Sequence, residues 1–557
     1  MHIAELEKIF DEKYATFNIP VQNVNLMRWY IFMVADDILI NIWSSNRDFR
    51  LISVLADRLK YSLKHALIRI ERELVDKEYV SLPVEVVPEV YEETGELLYA
   101  GMEYFVATKI CTLVHEGISE IIEEESRIFV RENFLWKNLG YSAVEMFDLG
   151  GSSSQHFLLL RALNYLVEPK FTKFYFDLSA KANVDSKGVI SYQYNHDLCK
   201  KLSEDVPFFG SMIPEGWVFP WGSGDQVNKL LWALNVRCLF HLFTIRTTAA
   251  VHNISGGGHE SLCLIAERSV LAAELSDLSR VEVRICENFI KALTIGAATR
   301  TADPALQPFI EIDETKVAIG CVNLLTCRQD RNMLSLHARV DQRLFDRQSK
   351  MFEIRMVDEL SKAAASRKLQ HRCNINIPGE KSAGDVDLLF FDIRAKELLV
   401  CELRWMIQPG DPREIVNRAK ACEEKVGKVG VKVAAVRRKL VEVAKVHFGT
   451  EIFPEEWKVN GIIVVDGYGG IESSNSEFPI MHKKIFMEGL KYFSKIDQIY
   501  IWAKSLKWLP QKNIHYSQET ISSAGASTKM IERNGLSLIG PTDIYIDYVK
   551  KSIKIAK

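Results

Sequence analysis

The chain of 557 residues is short of several things, and each shortage removes a class of protein. Paired cysteines are missing. There are ten Cys, none at Cys-x-x-Cys spacing, and the nearest two are Cys321 and Cys327. Zinc-finger frameworks are therefore excluded. Most of the thiols lie in apolar runs such as Arg237-Cys238-Leu239-Phe240, which suits free buried cysteines in a reducing compartment better than a disulfide scaffold. Proline and glycine are modest, at 16 and 30, which excludes collagen-like and Pro-rich chains. Long apolar runs are missing too: the stretch Leu230 to Ile245 is broken by Arg237 and His241 and reads as a buried helix rather than a membrane span. The opening MHIAELEKIF has no basic segment leading into an apolar one, so no signal peptide is expected. A cytoplasmic protein with no membrane partner is the expectation. Gly150-Gly151-Ser152 and Gly256-Gly257-Gly258-His259 lack the Lys-Ser/Thr ending of a phosphate loop, His115-Glu116 lacks a second His, and no Gly-x-Ser-x-Gly elbow occurs. Charge of one sign is scarce as well. The formal net charge is −3, with 26% charged and 47% apolar residues, which excludes a disordered chain and at first sight argues against a nucleic-acid partner.

That average hides an asymmetry. Residues 351–557 carry 33 Lys and Arg against 26 Asp and Glu, a net of +7, while residues 1–350 carry 37 against 47, a net of −10. An acidic body is joined to a basic C-terminal portion.

Hydrophobic periodicity divides the chain coarsely. Residues 1–80 read as helices, with Leu26, Trp29, Tyr30 and Met33 at three- and four-residue spacing. Two helices are expected over about 90–120 and 120–145, a break at Gly150–Ser154, another helix at 155–167 and a strand over Lys173–Leu178. Residues 203–225 read as irregular. Helices follow at about 225–250 and 259–293, short strands near 309–324, and a long charged helix at about 336–364. From 370 onward the pattern is strand, strand, helix, strand, helix, with further strands expected at Asn460–Gly467, Gln498–Trp502 and Ile544–Val549 and a helix at 480–495. The expected fold class is a multidomain chain: a mainly α-helical N-terminal body and a C-terminal α/β domain with a mixed central sheet. The expected divisions are 1–205, 206–345 and 346–557.

One segment carries chemistry. Gly384-Asp385-Val386-Asp387-Leu388-Leu389-Phe390-Phe391-Asp392 and Leu398-Leu399-Val400-Cys401-Glu402-Leu403-Arg404-Trp405 are two apolar runs joined by a polar turn, the pattern of adjacent antiparallel strands in a buried sheet. Side chains alternate along a strand, so Asp385 and Asp387 share one face of the first, and Val400, Glu402 and Arg404 share one face of the second. Acids inside apolar strands are costly without compensation. Asp387 and Glu402 can converge across the hairpin, and a divalent cation would make that favourable. Oxygen ligands suit Mg²⁺ or Mn²⁺ and not zinc. A structural reading of the same residues has Asp385 capping a turn and Glu402 in an ion pair with Arg404 or Arg418.

The segment resembles the core of the PD-(D/E)XK nuclease superfamily, the restriction-endonuclease-like fold. Gly384-Asp385-Val386-Asp387 stands where members of that family carry Gly-Glu-x-Asp, and Val400-Cys401-Glu402-Leu403-Arg404 stands where they carry an apolar strand ending in Glu-x-Lys. The resemblance covers about residues 350–430. It implies a preceding helix bearing an acid, for which Glu353 and Glu359 are candidates, and a following helix with polar or basic residues, which opens at Asp411-Pro412-Arg413-Glu414 and continues through Asn417, Lys420 and Glu424. It further implies Mg²⁺- or Mn²⁺-dependent hydrolysis of phosphodiesters, with Asp387 and Glu402 as metal ligands assisted by Asp385 or Glu353. The family's lysine is replaced here by Arg404, which stays protonated. Either Arg404 stabilises the phosphorane, or a lysine arrives from elsewhere with Lys420 as candidate, or activity is lost. The basic residues Lys425, Lys428, Lys432, Arg437, Arg438 and Lys439 follow the motif and are candidates for phosphate contacts. The expected function is a nuclease acting on DNA in preference to RNA, of the kind found among prokaryotic defence effectors, with the acidic N-terminal region regulating it, recognising a trigger or forming a homo-oligomer or partner contact. The alternative is a degenerate nuclease fold serving as a nucleic-acid-binding or scaffold subunit.

Overall fold

A computed structural model of the chain describes residues 2–44, 49–117, 119–124, 127–132, 172–206, 213–254, 258–296, 303–407, 412–467, 477–523, 530–539 and 542–556. The expected break at Gly150–Ser154, the helix at 155–167 and the cap at Asp411 lie outside these residues. The chain divides into two compact units. One comprises Leu6–Thr108 and Ser152–Asp346, the other Met1–Glu5, Lys109–Gly151 and Arg347–Lys557. Residues 206–345 thus share a unit with most of the N-terminal helices.

The first unit is mainly helical. Its long helices include α1 (Val24–Ser44), which is almost wholly buried along its middle. Within it Asp36 is fully buried and caps the short helix α2 (Cys321–Thr326), accepting from the backbone N–H of Val322 at 3.0 Å and of Asn323 at 2.9 Å. Lys60 closes the other end of α2 by donating to the Thr326 carbonyl at 2.5 Å. Orphan groups at both helix ends are thus met by side chains far away in sequence. The segment Lys173–Leu178, expected as a strand, belongs to a helix (Thr172–Ser179). Phe174, Tyr175 and Leu178 are buried there at helical spacing. Among the described residues one helix, Pro88–His115, is long and apolar enough to cross a membrane, and half of its apolar window is buried in the fold.

The second unit is built on a five-stranded mixed sheet in sequential order: β1 (Gln370–Asn376), β2 (Asp385–Asp392), β3 (Glu397–Trp405), β4 (Lys458–Asp466) and β5 (Ile480–His482). β1, β2 and β3 run antiparallel, whereas β3–β4 and β4–β5 are parallel. Strand β2 is nearly continuous in apolar residues because both faces are covered. On one face Leu388, Phe390, Leu399, Cys401 and Leu403 pack against α3 (Gln342–Ser366), α5 (Lys483–Tyr492), α6 (Ile496–Ser505) and α7 (Thr542–Ala556). On the other, Val386, Leu389, Phe391 and Val400 pack against Val429, Val433 and Val436 of α4 (Pro412–Arg438) and Val443 of the helix Leu440–Phe448.

Three local expectations are corrected in this unit. Ser119–Glu123 and Arg127–Glu132, expected as helix, are antiparallel strands that join the strands Met530–Leu538 and Tyr516–Ser523 in a second, four-stranded sheet. Gln498–Trp502 and Ile544–Val549 are helical, in α6 and α7. Their short runs alternate like strands, but the buried residues Ile496, Ile499, Tyr500 and Ala503 recur at three and four, as do Val549, Ser552 and Ile553. Helix α6 is also started from outside: the buried Asp392 accepts from the Ile496 N–H at 3.0 Å. All ten cysteines are free thiols, nine of them buried.

A carboxylate and lysine cluster at the end of the central hairpin

The register of β2 with β3 runs from Asp392↔Glu397 to Leu388↔Cys401. One step further places Asp387 opposite Glu402. There the ladder gives way to a side-chain bond. The Leu403 N–H donates to Asp387 Oδ2 at 2.7 Å. Glu402 is only 2% exposed. Such a carboxylate needs compensation, and it comes from α4. Lys425 Nζ donates to Glu402 Oε1 at 2.5 Å, and Lys432 Nζ donates to Oε2 at 2.5 Å. The lysine side chains are 15% and 9% exposed.

The placement of the two lysines follows from helix geometry. Cys422, Lys425, Val429, Lys432 and Val436 recur at three- and four-residue spacing, so the lysines stand in the stripe that faces the sheet. Two carboxylates and two ammoniums meet where that stripe crosses the end of the β2–β3 hairpin. Burial, and then the neighbouring Glu402 charge, push the Asp387 carboxyl up to about 6, against the pull of the Leu403 N–H and the two lysines.

Other candidate residues are placed elsewhere. Arg404 does not reach Asp387 or Glu402. Its Nη1 donates to Glu353 Oε1 on α3 at 3.3 Å, so these two candidates neutralise each other away from the carboxylate pair. Glu359 is likewise engaged, by Lys483 at 2.8 Å and Arg355 at 3.0 Å, and Lys483 also holds Asp466 at 2.6 Å. Asp385 shares the strand but is exposed at its start, opposite Asn376. Lys420 is exposed with Asn417 and Glu424 on the outer side of α4. Five residues turn a helix by about 140°, which takes Lys420 off the face that carries Lys425. Neither arginine considered as a structural partner of Glu402 is one: Arg418 donates from Nε to the Ile407 carbonyl at 2.5 Å.

The basic stretch is also redistributed. Lys425 and Lys432 point inward. Arg437 donates to the Val459 carbonyl at 2.8 Å and pairs with Glu477 at 3.2 Å. Arg438 pairs with Glu380 at 3.0 Å and Lys439 with Glu442 at 3.0 Å. Lys428 alone of the six is exposed without an acidic partner among the described residues. The run was expected to supply phosphate contacts. What forms is a set of ion pairs, because the run is helical and its members leave the axis in different directions.

Asp387 and Glu402 are the residues that could hold a hard divalent cation. Two carboxylates face each other, and Asp387 Oδ1 takes no hydrogen bond from a described residue. Among the described residues no group of three or more His, Cys, Asp or Glu gathers at one point. A cation here would complete its shell with water and substrate oxygens, as Mg²⁺ commonly does with one or two protein carboxylates. The signal for Lys425 and Lys432 was present in the chain, as two lysines inside an otherwise apolar helical stripe opposite an acid inside an apolar strand. No protein-family model, curated protein or solved structure matches this chain.

Proposed function

We propose that the C-terminal unit is a metal-dependent nuclease that hydrolyses phosphodiesters at the Asp387–Glu402 pair. The observation that carries the reading is the pair itself: two carboxylates opposed at the end of a buried hairpin, with two lysines delivered to one of them by the next helix. The order of elements supports it. An acid-bearing helix, the Asp387 strand, the Glu402 strand and a basic helix is the order that the resemblance to the PD-(D/E)XK superfamily implies, and α3, β2, β3 and α4 follow one another in that order.

In this reading Asp387 and Glu402 hold Mg²⁺ or Mn²⁺. When bound, the cation supplies a Lewis acid for the phosphodiester and lowers the pKa of an attacking water. Lys432, fixed on Glu402, takes the part first assigned to Arg404 or Lys420. It orients the water or donates to the oxygens that gain charge in the transition state. Arg404, tied to Glu353, positions α3 against β3. Lys428 and the net +7 of the C-terminal portion favour an anionic polymer, DNA before RNA. The acidic N-terminal region is assigned regulation or assembly, as in a standalone defence effector.

The test is nicking of supercoiled plasmid with Mg²⁺ or Mn²⁺ by the full chain and by Glu402→Gln and Asp387→Asn. Cation-dependent nicking lost in both variants is expected. One observation favours the second reading, a scaffold with a degenerate nuclease fold: both oxygens of Glu402 are already neutralised by lysines. DNA binding without cleavage at any cation concentration would select it. Absence of both binding and cleavage would remove both readings. Competition with RNA settles the preferred polymer.

A further inference from the structure

Glu402 is buried, and each of its oxygens is taken by one ammonium at 2.5 Å. A Mg²⁺-sized cation sits about 2.1 Å from a ligating oxygen, so it and an ammonium on the same oxygen would stand within about 5 Å of one another. At that range two positive centres in a partly desolvated site repel strongly. A cation that uses Glu402 therefore has to move one of the lysines.

The two lysines are not equivalent. The stem of Lys432 runs beside the turn that enters β2: a Cβ placed on Gly384 would lie 4.0 Å from Lys432 Cε. Its side chain is also the more buried of the two. Lys425 is more exposed, and Glu402 Oε1 is its single hydrogen-bond partner among the described residues. Four rotatable methylenes let an ammonium at this depth swing to water while its stem stays packed.

We infer that Lys425 is a gate: its ammonium and a divalent cation are alternative occupants of the space between Asp387 and Glu402, while Lys432 keeps its place. The inference rests on the metal-dependent reading above and adds to it. Lys425 sets the cation concentration at which the site opens. Below that concentration the cluster is a closed, charge-balanced quartet.

The experiment is Mn²⁺ titration of the full chain by calorimetry, with acetylation footprinting of individual lysines by mass spectrometry. Lys425→Gln should bind Mn²⁺ about tenfold or more tightly than the unmodified chain, and Lys425→Arg, which keeps the charge, should not. In the unmodified chain Lys425 should become more reactive to acetylation as Mn²⁺ saturates, and Lys432 should not. Footprinting needs no substitution, so it stands even if a variant folds poorly. If the chain binds Mn²⁺ through Glu402, shown by loss of binding in Glu402→Gln, while Lys425 reactivity is unchanged and Lys425→Gln binds no more tightly, the gate is refuted and the metal site survives. If neither the chain nor Lys425→Gln binds Mn²⁺, both are refuted.

Discussion

Lys432→Met isolates the buried half of the cluster. Methionine keeps most of the apolar stem and removes the ammonium from Glu402 Oε2. Removing one partner from a buried ion pair costs about 3–5 kcal/mol when the remaining charge is left alone. Here Lys425 still holds Oε1, so the expected loss is smaller, about 2–3 kcal/mol, close to the cost of leaving one charged acceptor unmet. Lys425→Met should cost about 1–2 kcal/mol, because its more exposed position lets water replace the lost donor. The pair Glu402→Gln with Lys432→Met should recover about 1–2 kcal/mol of the Lys432→Met loss, since the uncompensated charge is gone. A chain of two compact units gives no single unfolding free energy, so the readout is amide hydrogen exchange in β2 and β3. The amides of Leu398 to Leu403 should exchange about 30- to 150-fold faster in Lys432→Met. Unchanged exchange, or a larger effect from Lys425→Met than from Lys432→Met, would refute the reasoning that ranks the two lysines by burial.

Three other outcomes are expected. Burial pushes the Asp36 carboxyl up to about 7 against the Val322 and Asn323 N–H groups. Its folded pKa thus lies above the usual 3.8, so the stability tied to its protonation is complete below about pH 4 and is lost as pH rises through about 7. The thermal midpoint of Asp36→Asn should therefore gain on that of the unmodified chain between pH 4 and 7, and a constant difference would count against it. Gly461→Ala should destabilise the second unit by about 1–3 kcal/mol, because the new Cβ would meet Val433 Cγ2 at 2.7 Å and Phe478 Cδ1 at 2.8 Å. A thermal midpoint equal to that of the unmodified chain would show that α4 can retreat from β4. Lys428→Ala should lower the salt dependence of DNA binding by about one phosphate contact, and Arg438→Gln should leave it unchanged because Arg438 is committed to Glu380. Equal effects would restore Arg438 as a candidate phosphate contact.

Much of the second unit was legible in advance. The hairpin over 385–405, the parallel strand at 460–467 and the helix near 480–495 announce themselves by apolar runs bounded by turns. Gln498–Trp502 and Ile544–Val549 did not. Five or six residues that alternate fit a strand as well as a helix, and the choice between them is made by what covers them. The residues of the site were legible as types and not as partners. Asp387 and Glu402 could be brought together from strand alternation alone. Alternation along the strand sets Arg404 on the Glu402 face, yet near the C-terminal end of β3 it pairs with Glu353 of α3.

By itself the sequence determined the acidic and basic halves, the buried hairpin, and the two carboxylates that end it, since each is a matter of composition or local period. Only the tertiary structure decided which cations answer those carboxylates. Eight basic residues lie on α4, and charge alone cannot rank them. The angle at which α4 crosses the sheet turns Lys425 and Lys432 onto Glu402 and leaves Lys420 and Lys428 in water. A buried carboxylate selects its partner by direction and depth, and both are properties of packing.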